Sequence, residues 1–446
     1  LIRRIFTGRK FTSDTIQAIY QTNLSEALHY FFSDVSCPFI LLLLLAFGAG
    51  IYLLNRRGEN RPAPVVIIIG GALVFLATLF SFYSELFDRE ALNRTKVLFT
   101  DSLEYFSIID AYAADNDSRL AEVKKQVQPD SGDDGIYVLI IGESHSRKHS
   151  SAYGYSLDTT PFLRDIATDS DCILMRNAYS CHVQTMPVLT MLLTSRNQYE
   201  KAANPIYPSI FDVANFCGYN TEFISNQYPG GRFDSPIAAL ASAAKKRVYL
   251  NTMEDFLLWK TRKDGDLLNF LPDALNAKRK LVVIQLMGSH GPYFQRYPED
   301  FATELDWKPY DKSVLYTDSL LKELVTTFRK ISQVRAAVYV SDHSEIPGVG
   351  HAADLFEPQM AEIPMFIYLS EELRQARPEL TQNLQRHVEA VFTNDLVFEL
   401  MLDLMNIRNN FSSNTLRISS KQYSLTHDQA LTLWGSHAIY SRVSLK

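Results

Sequence analysis

Three apolar runs of this chain end in side chains that bind metals. The residues are Glu143 after IYVLIIG, His290 after KLVVIQLMGS, and Asp342 with His343 after AAVYVS. Carboxylates and imidazoles are the usual zinc ligands, and the carboxyl ends of parallel strands share one edge of a sheet. The pattern predicts a zinc site there, since polar residues that merely cap loops would not be expected after three strands. His351, in PGVGHAAD, is expected to reach the same cavity.

A candidate nucleophile lies in SCHVQTMPVLTMLL, residues 180–193. Pro187 is typical of the first turn of a helix, which leaves Thr185 at the N-terminal edge. Free N–H groups and the helix dipole favour a phosphate at such an edge. An ordinary threonine N-cap explains the spacing equally well.

From residue 136 onward, apolar runs alternate with helical patterns, which predicts an α/β fold with a mostly parallel sheet. Continuous rather than alternating apolarity indicates strands covered on both faces. The predicted strand segments are 136–144, 172–179, 221–227, 280–290, 336–345 and 362–370.

Two uncharged segments, 37–54 and 63–83, approach the ~20 residues that span a bilayer. They predict a transmembrane hairpin rather than a hydrophobic hairpin buried in a soluble protein. The loop NRRGENRP holds three arginines and one glutamate, so the positive-inside rule places it in the cytoplasm. We expect four regions: an amphipathic segment (1–36), the hairpin (37–85), connecting helices with a linker (86–135) and a catalytic domain (136–446). The chain begins with Leu1 rather than Met, and the sequence leaves open whether further spans precede it.

Charge and cysteine content exclude other classes. The net charge is -6 without a basic run in the large domain, which argues against a nucleic-acid partner. Cys37 borders the first span, so at most one disulfide is expected among Cys172, Cys181 and Cys217.

The ordered motifs GES, SRKHSSAYGYSLDTTPF, CHVQT, MGSHGPYF, SDHSE and a later GH resemble those of membrane phosphoethanolamine transferases. This family includes lipid A-modifying and colistin-resistance enzymes and belongs to the alkaline phosphatase and sulfatase-like superfamily. The resemblance covers roughly residues 12–370. It implies a three-layer α/β/α catalytic domain with an N-terminal helical transmembrane portion.

The resemblance also implies roles for individual residues. Thr185 would accept the phosphoryl group and, with Glu143, Asp342 and His343, would hold Zn²⁺. His290 and His351 match histidines that meet the phosphoethanolamine group or a second zinc ion. The remaining substrate contacts implied by the family are Thr22 and Glu26 in QTNLSE and Asn226 and Gln227 in ISNQ. Glu26 also has the spacing of a capping-box partner of Asn23.

Departures from the family pattern affect the acceptor more than the fold. The nucleophile loop here is His182, Val183 and Gln184 instead of serine and glycine, and Met191 replaces a frequent cysteine. Ser344 stands in SDHSE where glycine is common.

The sequence thus predicts a monomeric, multi-pass enzyme of the bacterial inner membrane with its catalytic domain in the periplasm. It would move phosphoethanolamine from phosphatidylethanolamine to a lipid-linked or envelope glycan acceptor, such as lipid A or lipopolysaccharide core. Alternatives are a phosphoglycerol transferase or a membrane-anchored phosphatase or sulfatase. A sulfatase would need a C/S-x-P-x-R sequence, which the nucleophile loop lacks. A non-catalytic membrane sensor would be expected to have lost a ligand or the nucleophile, and none is lost.

Overall fold

The computed structural model describes residues 114, 116–200, 206–227, 236–251 and 262–440, which belong to one compact unit, Ile108–Lys446. The strands are β1 (Gly135–Gly142), β2 (Cys172–Met175), β3 (Asn177–Tyr179), β4 (Asn220–Ser225), β5 (Lys246–Tyr249), β6 (Arg279–Gln285), β7 (Val334–Ser341), β8 (Met365–Leu369), β9 (Val391–Thr393), β10 (Leu431–Thr432) and β11 (His437–Ala438). The α-helices are α1 (Asn116–Gln126), α2 (Pro161–Ile166), α3 (Thr185–Leu192), α4 (Ile210–Phe216), α5 (Pro236–Ala241), α6 (Leu271–Ala274), α7 (Pro309–Arg329), α8 (Glu371–Ala376), α9 (Pro378–Arg386) and α10 (Val397–Leu404).

Seven strands form the central sheet in the order β2-β8-β7-β1-β6-β4-β5. The strands from β7 to β5 are parallel to one another, whereas β8 is antiparallel to both β7 and β2. The predicted mostly parallel sheet is confirmed, and each of the six predicted segments contains a strand of it. The seventh strand, β5 (KRVY), was not predicted. Its basic and half-exposed residues suit an edge strand but give no apolar signal.

Both faces of the sheet are covered, as the continuous apolar strands predicted. In β1, Tyr137 and Leu139 pack into one buried cluster and Val138 and Ile140 into another. The first cluster includes residues of α1, α3, α4, α5, α8, α9 and α10, and the second includes residues of α2, α6 and α7. The three-layer α/β/α architecture is therefore confirmed.

The helix α1 lies in the predicted connecting region but packs on the domain. Val123 is fully buried in the core, and the Arg119 Nε atom lies 3.1 Å from Asp212 Oδ2 at the start of α4. The folded unit therefore includes residues N-terminal to position 136.

Part of the predicted organisation lies outside the described residues. This applies to the paired apolar segments 37–54 and 63–83 and to the amphipathic segment with Thr22 and Glu26. Within the described ranges, the helices are too short or too polar to cross a bilayer.

The three cysteines of the domain are buried and are free thiols. This agrees with the limit of one disulfide that the sequence set. Burial raises the pKa of the Cys181 thiol well above its usual range, which keeps the thiol protonated and unreactive.

A buried carboxylate anchors α2 against α7. Asp318, on α7, accepts hydrogen bonds from the backbone N–H groups of Phe162 (2.8 Å) and Leu163 (3.0 Å). These groups lie in the first turn of α2, where they have no partners within the helix. The Thr160 N-cap makes no side-chain capping bond, so Asp318 supplies the cap from another helix.

Asp318→Ala should destabilise the protein by about 1–3 kcal/mol, because two buried N–H groups lose their acceptor. Asp318→Asn should cost less, since its amide oxygen still accepts one bond. Urea unfolding of the purified variants measures the difference. Asp165→Asn, on the exposed side of α2, is the control, and an Asp318→Ala variant as stable as that control would contradict the capping role.

Candidate metal centre and active site

The candidate metal ligands meet where β1 and β7 end. These strands are parallel neighbours, and their ladder pairs Gly142 with Ser341. Glu143 and Asp342 are the next residue of each strand, so the two carboxylates lie side by side. With His343 they form a buried group whose ligand atoms all lie within 4.8 Å of one another.

The distances within this group are short. His343 Nε2 lies 3.3 Å from Asp342 Oδ2 and 3.5 Å from Glu143 Oε1. The His343 Nδ1 atom is 3.1 Å from the Ser344 carbonyl oxygen, to which its N–H can donate. In this tautomer the proton is on Nδ1 and the lone pair is on Nε2, as binding of a metal through Nε2 requires. The Nε2 atom is the one that faces the two carboxylates.

The two carboxylates have the environment of metal ligands. Asp342 Oδ1 accepts bonds from the Ser144 and His343 N–H groups, but Asp342 Oδ2 is buried and accepts no hydrogen bond. Burial and the charge of Glu143 raise the pKa of Asp342 well above its usual range. A divalent cation would engage the unsatisfied oxygen and offset both charges, so the donor set fits zinc.

Thr185 lies directly beside the metal-binding group. It is the first residue of α3, and its hydroxyl donates to Glu143 Oε2 at 3.1 Å and lies 3.3 Å from His343 Nε2. Gln184 occupies the N-cap position and makes no side-chain capping bond. Thr185 is therefore the first helical residue and not the N-cap, and the Gln184 side chain does not cap the first N–H groups of α3.

Asn394 ties the nucleophile loop to the metal-binding strand end. Its amide nitrogen donates to the carbonyl oxygens of Asp342 (2.7 Å) and Ser341 (3.2 Å), and its Oδ1 accepts from the Cys181 N–H (2.9 Å). Ser180 also donates to the Asp342 carbonyl oxygen. No sequence pattern marked Asn394. It lies more than 50 residues along the chain from each of these partners, and only folding brings them together.

His351 lies against His343. The two rings lie 4.1 Å apart between centroids and are inclined by 39°. His351 Nδ1 is 2.6 Å from Glu345 Oε2, and Glu345 Oε1 accepts from the Tyr293 hydroxyl at 2.9 Å. Glu345 and Tyr293, which the sequence did not mark, orient His351 and join its loop to the loop after His290.

His290 lies on a loop that Asp264 anchors. Asp264 is buried and accepts from the N–H groups of Met287 and Gly288, both at 2.8 Å. The His290 Nδ1 atom lies 2.7 Å from the Gly291 carbonyl oxygen. Burial would raise the pKa of Glu143, but its interactions with the His343 and His290 imidazoles outweigh burial and lower the pKa to about 2.

The two polar residues of ISNQ have different environments. Gln227 Nε2 donates to Glu143 Oε2 at 3.2 Å, so it touches the metal-binding group. Asn226 is fully buried and donates to Asp264 Oδ1 at 2.7 Å. Asn226 therefore supports the His290 loop through Asp264, while Gln227 faces the site.

His145 follows β1 closely but does not join the metal-binding group. Its ring nitrogens bond to the hydroxyls of Tyr339 (2.7 Å) and Ser150 (3.0 Å). Burial lowers its pKa to about 3, so the ring is neutral.

The comparisons with known proteins agree with this geometry. A sequence model of the sulfatase family matches residues 136–407, more than half of the chain. The chain is 24% identical over 426 residues to phosphoethanolamine transferase EptC of Escherichia coli, covering 86% of this chain and 74% of the relative. It is 26% identical over 444 residues to phosphoethanolamine transferase EptA of Helicobacter pylori, covering 87% and 79%.

Two solved structures share the fold. One is the C-terminal periplasmic domain of EptC from E. coli in complex with Zn, with a TM-score of 0.60, 23% identity, and coverage of 71% of this chain and 95% of that one. The other is the integral membrane protein lipooligosaccharide phosphoethanolamine transferase A from Neisseria meningitidis, with a TM-score of 0.62, 19% identity, and coverage of 94% and 83%. The predicted resemblance and the superfamily fold are confirmed.

Alanine at Glu143, Asp342 or His343 should lower the zinc content of the purified protein, because each removes one ligand. Removing a hydrogen-bond partner of a metal ligand typically lowers metal affinity by about 10- to 100-fold, and removing a ligand itself should lower zinc affinity by more. His290→Ala should reduce turnover more than zinc content. Elemental analysis measures the metal, exposed His427→Ala is the control, and full occupancy in Asp342→Ala would contradict the assignment.

Gly288→Ala should also weaken metal binding, by about tenfold or more. A Cβ atom at Gly288 would lie 2.5 Å from the Glu143 carbonyl oxygen and 2.8 Å from the Glu143 backbone nitrogen, so the backbone of a ligand must shift. Gly154 is a matched control, since it also has a positive φ but no atom within 4 Å of the added carbon. Equal zinc affinity in the two variants would show that the contact with Glu143 is unimportant.

Proposed function

The chain belongs to the sulfatase family, and we propose that it transfers phosphoethanolamine from phosphatidylethanolamine, through Thr185, to a cell-envelope acceptor. The acceptor is a hydroxyl or phosphate of a molecule such as lipid A or lipopolysaccharide core. The reaction takes place at the periplasmic side of a bacterial inner membrane. The observation that carries the proposal is the Thr185 hydroxyl, which lies between Glu143 and His343 at the start of α3.

The position of Thr185 suits a nucleophile. Its hydroxyl proton is already directed at Glu143 Oε2, and the first N–H groups of α3 are available to phosphoryl oxygens. Zinc, when bound by Glu143, Asp342 and His343, lowers the pKa of a neighbouring hydroxyl and offsets negative charge on phosphoryl oxygens.

The reaction has two steps, which exchange one ester bond at a time. In the first, the Thr185 oxygen bonds to phosphorus, the bond from phosphorus to the diacylglycerol oxygen breaks, and that oxygen takes up a proton. In the second, an acceptor oxygen attacks the same phosphorus, and Thr185 leaves and recovers its proton. His351 and His290 are the candidates for proton transfer, since His351 is oriented by Glu345 and both lie on loops that border the group.

Substrate recognition is assigned to residues on several segments. Gln227 contacts Glu143 and is placed to meet a phosphoryl oxygen. Thr22 and Glu26 are proposed to meet the headgroup at the entrance, and the carboxylate of Glu26 suits the ethanolamine ammonium. This requires residues 11–36 and the catalytic domain to lie on the same side of the membrane, which an even number of spans between them provides.

Thr185→Val should reduce turnover of headgroup-labelled phosphatidylethanolamine by about 10³-fold or more, because covalent catalysis is lost. Thr185→Ser, which keeps the hydroxyl, should retain measurable activity. Intact-mass analysis should show a phosphoethanolamine adduct on the wild-type protein and none on Thr185→Val.

Thr190→Val is the control, since Thr190 lies on the same helix and donates to the Met186 carbonyl oxygen instead. Near-normal turnover by Thr185→Val would remove Thr185 from the mechanism. An adduct with the mass of phosphoglycerol, formed from phosphatidylglycerol only, would assign the enzyme to the alternative headgroup.

A further inference from the structure

Arg296 differs from the other buried arginines of the domain. Four arginines are at least nine-tenths buried in the described part of the chain, and three of them pair with a carboxylate. These pairs join Arg119 to Asp212 (3.1 Å), Arg147 to Glu362 (3.5 Å) and Arg417 to Glu399 (2.8 Å). Arg296 is only 6% exposed and forms no ion pair with any residue in the described ranges.

The hydrogen bonds of the Arg296 guanidinium are also incomplete. Its Nε atom is buried without a partner, and its Nη2 atom makes one long bond of 3.3 Å to Gln295 Oε1. A guanidinium has five N–H donors, and a buried charge without a counter-ion is costly. Burial lowers the pKa of Arg296 to about 10, so the group still carries its charge at neutral pH.

Arg296 borders the site described above. It follows the short 3₁₀ turn Tyr293–Gln295, whose Tyr293 hydroxyl bonds to Glu345. The nearby charges of Asp264 and Glu143 stabilise its protonated form. Asp264 does not pair with it, because the oxygens of that carboxylate already accept bonds from Met287, Gly288 and Asn226.

A second cation lies next to Arg296. Lys263 Nζ donates to the Gln295 carbonyl oxygen at 2.6 Å and also lacks a carboxylate within ion-pair distance among the described residues. Burial and the charge of Arg296 lower the pKa of Lys263. Two neighbouring cations repel each other, and neither forms an ion pair among the described residues, so an anion bound by both would stabilise them.

We propose that Arg296 and Lys263 form an anion subsite beside the metal-binding group, and that this subsite binds a phosphate ester of a substrate. The planar guanidinium can donate two parallel bonds to phosphate oxygens, and the ammonium adds a point charge. This inference rests on the proposed function only for the source of the phosphate, which is either the donor phosphodiester or a phosphate on the acceptor.

The first test is binding of inorganic phosphate to the purified full chain, measured by isothermal titration calorimetry. Arg296→Met should weaken binding by about 10- to 100-fold, the range expected for losing charge-assisted hydrogen bonds. Lys263→Met should weaken it less, and Arg296→Lys should retain part of the affinity. Lys278→Met is the control. Lys278 pairs with Asp134 and directly precedes β6, at the end of that strand opposite to the site.

Zinc content and thermal unfolding should accompany each titration, since Arg296→Met removes a buried side chain. If Arg296→Met does not fold, Arg296→Lys and Lys263→Met decide the question. Phosphate affinity within twofold of wild type in the folded Arg296 variants, with zinc content unchanged, would overturn the subsite.

The two half-reactions distinguish the source of the phosphate. Slower formation of the Thr185 adduct in Arg296→Met, without acceptor present, would assign the subsite to the donor. Normal adduct formation with slower transfer to a phosphorylated acceptor, but not to an acceptor with hydroxyls only, would assign it to the acceptor. Unchanged rates in both steps would overturn the inference even if phosphate binding fell. The subsite and the proposed function can fail separately. If Arg296→Met loses phosphate binding but the wild-type protein does not turn over phosphatidylethanolamine, the subsite is supported and the proposed function is rejected.

Discussion

The burial of two carboxylates within reach of one imidazole is the constraint on which the rest of this domain depends. Glu143 and Asp342 are at most 1% exposed, and their charges oppose each other across the ends of β1 and β7. Such an arrangement is stable only if a cation or protons offset the charge. Loops could not hold it, but adjacent parallel strands can, because their ladders fix the positions of the residues that follow.

The surrounding polar network keeps Thr185 in position beside that group. Asn394 and Ser180 bind the carbonyl oxygens of the Asp342 strand end and thereby connect it to the loop that leads into α3. Since Thr185 begins α3, a displacement of this loop would move its hydroxyl relative to Glu143 and His343. Gly288 is required for a close contact with the same group. Because it has no Cβ atom, the His290 loop can lie against the Glu143 backbone.

The sequence predicted those parts of the site that local patterns encode. Apolar runs that end in Glu143 and in Asp342 with His343 located the metal group, and Pro187 located the start of α3. Asn394, Asp264 and Arg296 gave no such signal, because their roles depend on partners that only the folded chain brings near. The antiparallel direction of β8 and the edge strand β5 were missed for a related reason: strand direction is set by connections and neighbours, not by the composition of the strand itself.

The proposed function requires one end of the sheet to accommodate a cation and a phosphate close together, and the distribution of charge is compatible with this. The buried acids lie at the ends of β1 and β7, whereas Arg296 lies on the loop that follows β6, and Lys263 donates to the Gln295 carbonyl oxygen of the same loop. Asp264 forms an ion pair with neither cation, and its oxygens accept bonds from the Met287 and Gly288 N–H groups and from Asn226. Its negative charge nevertheless stabilises Arg296, while its hydrogen bonds fix the loop that carries His290. One buried carboxylate thus contributes both to the geometry of the histidine loop and to the electrostatics of the cationic region.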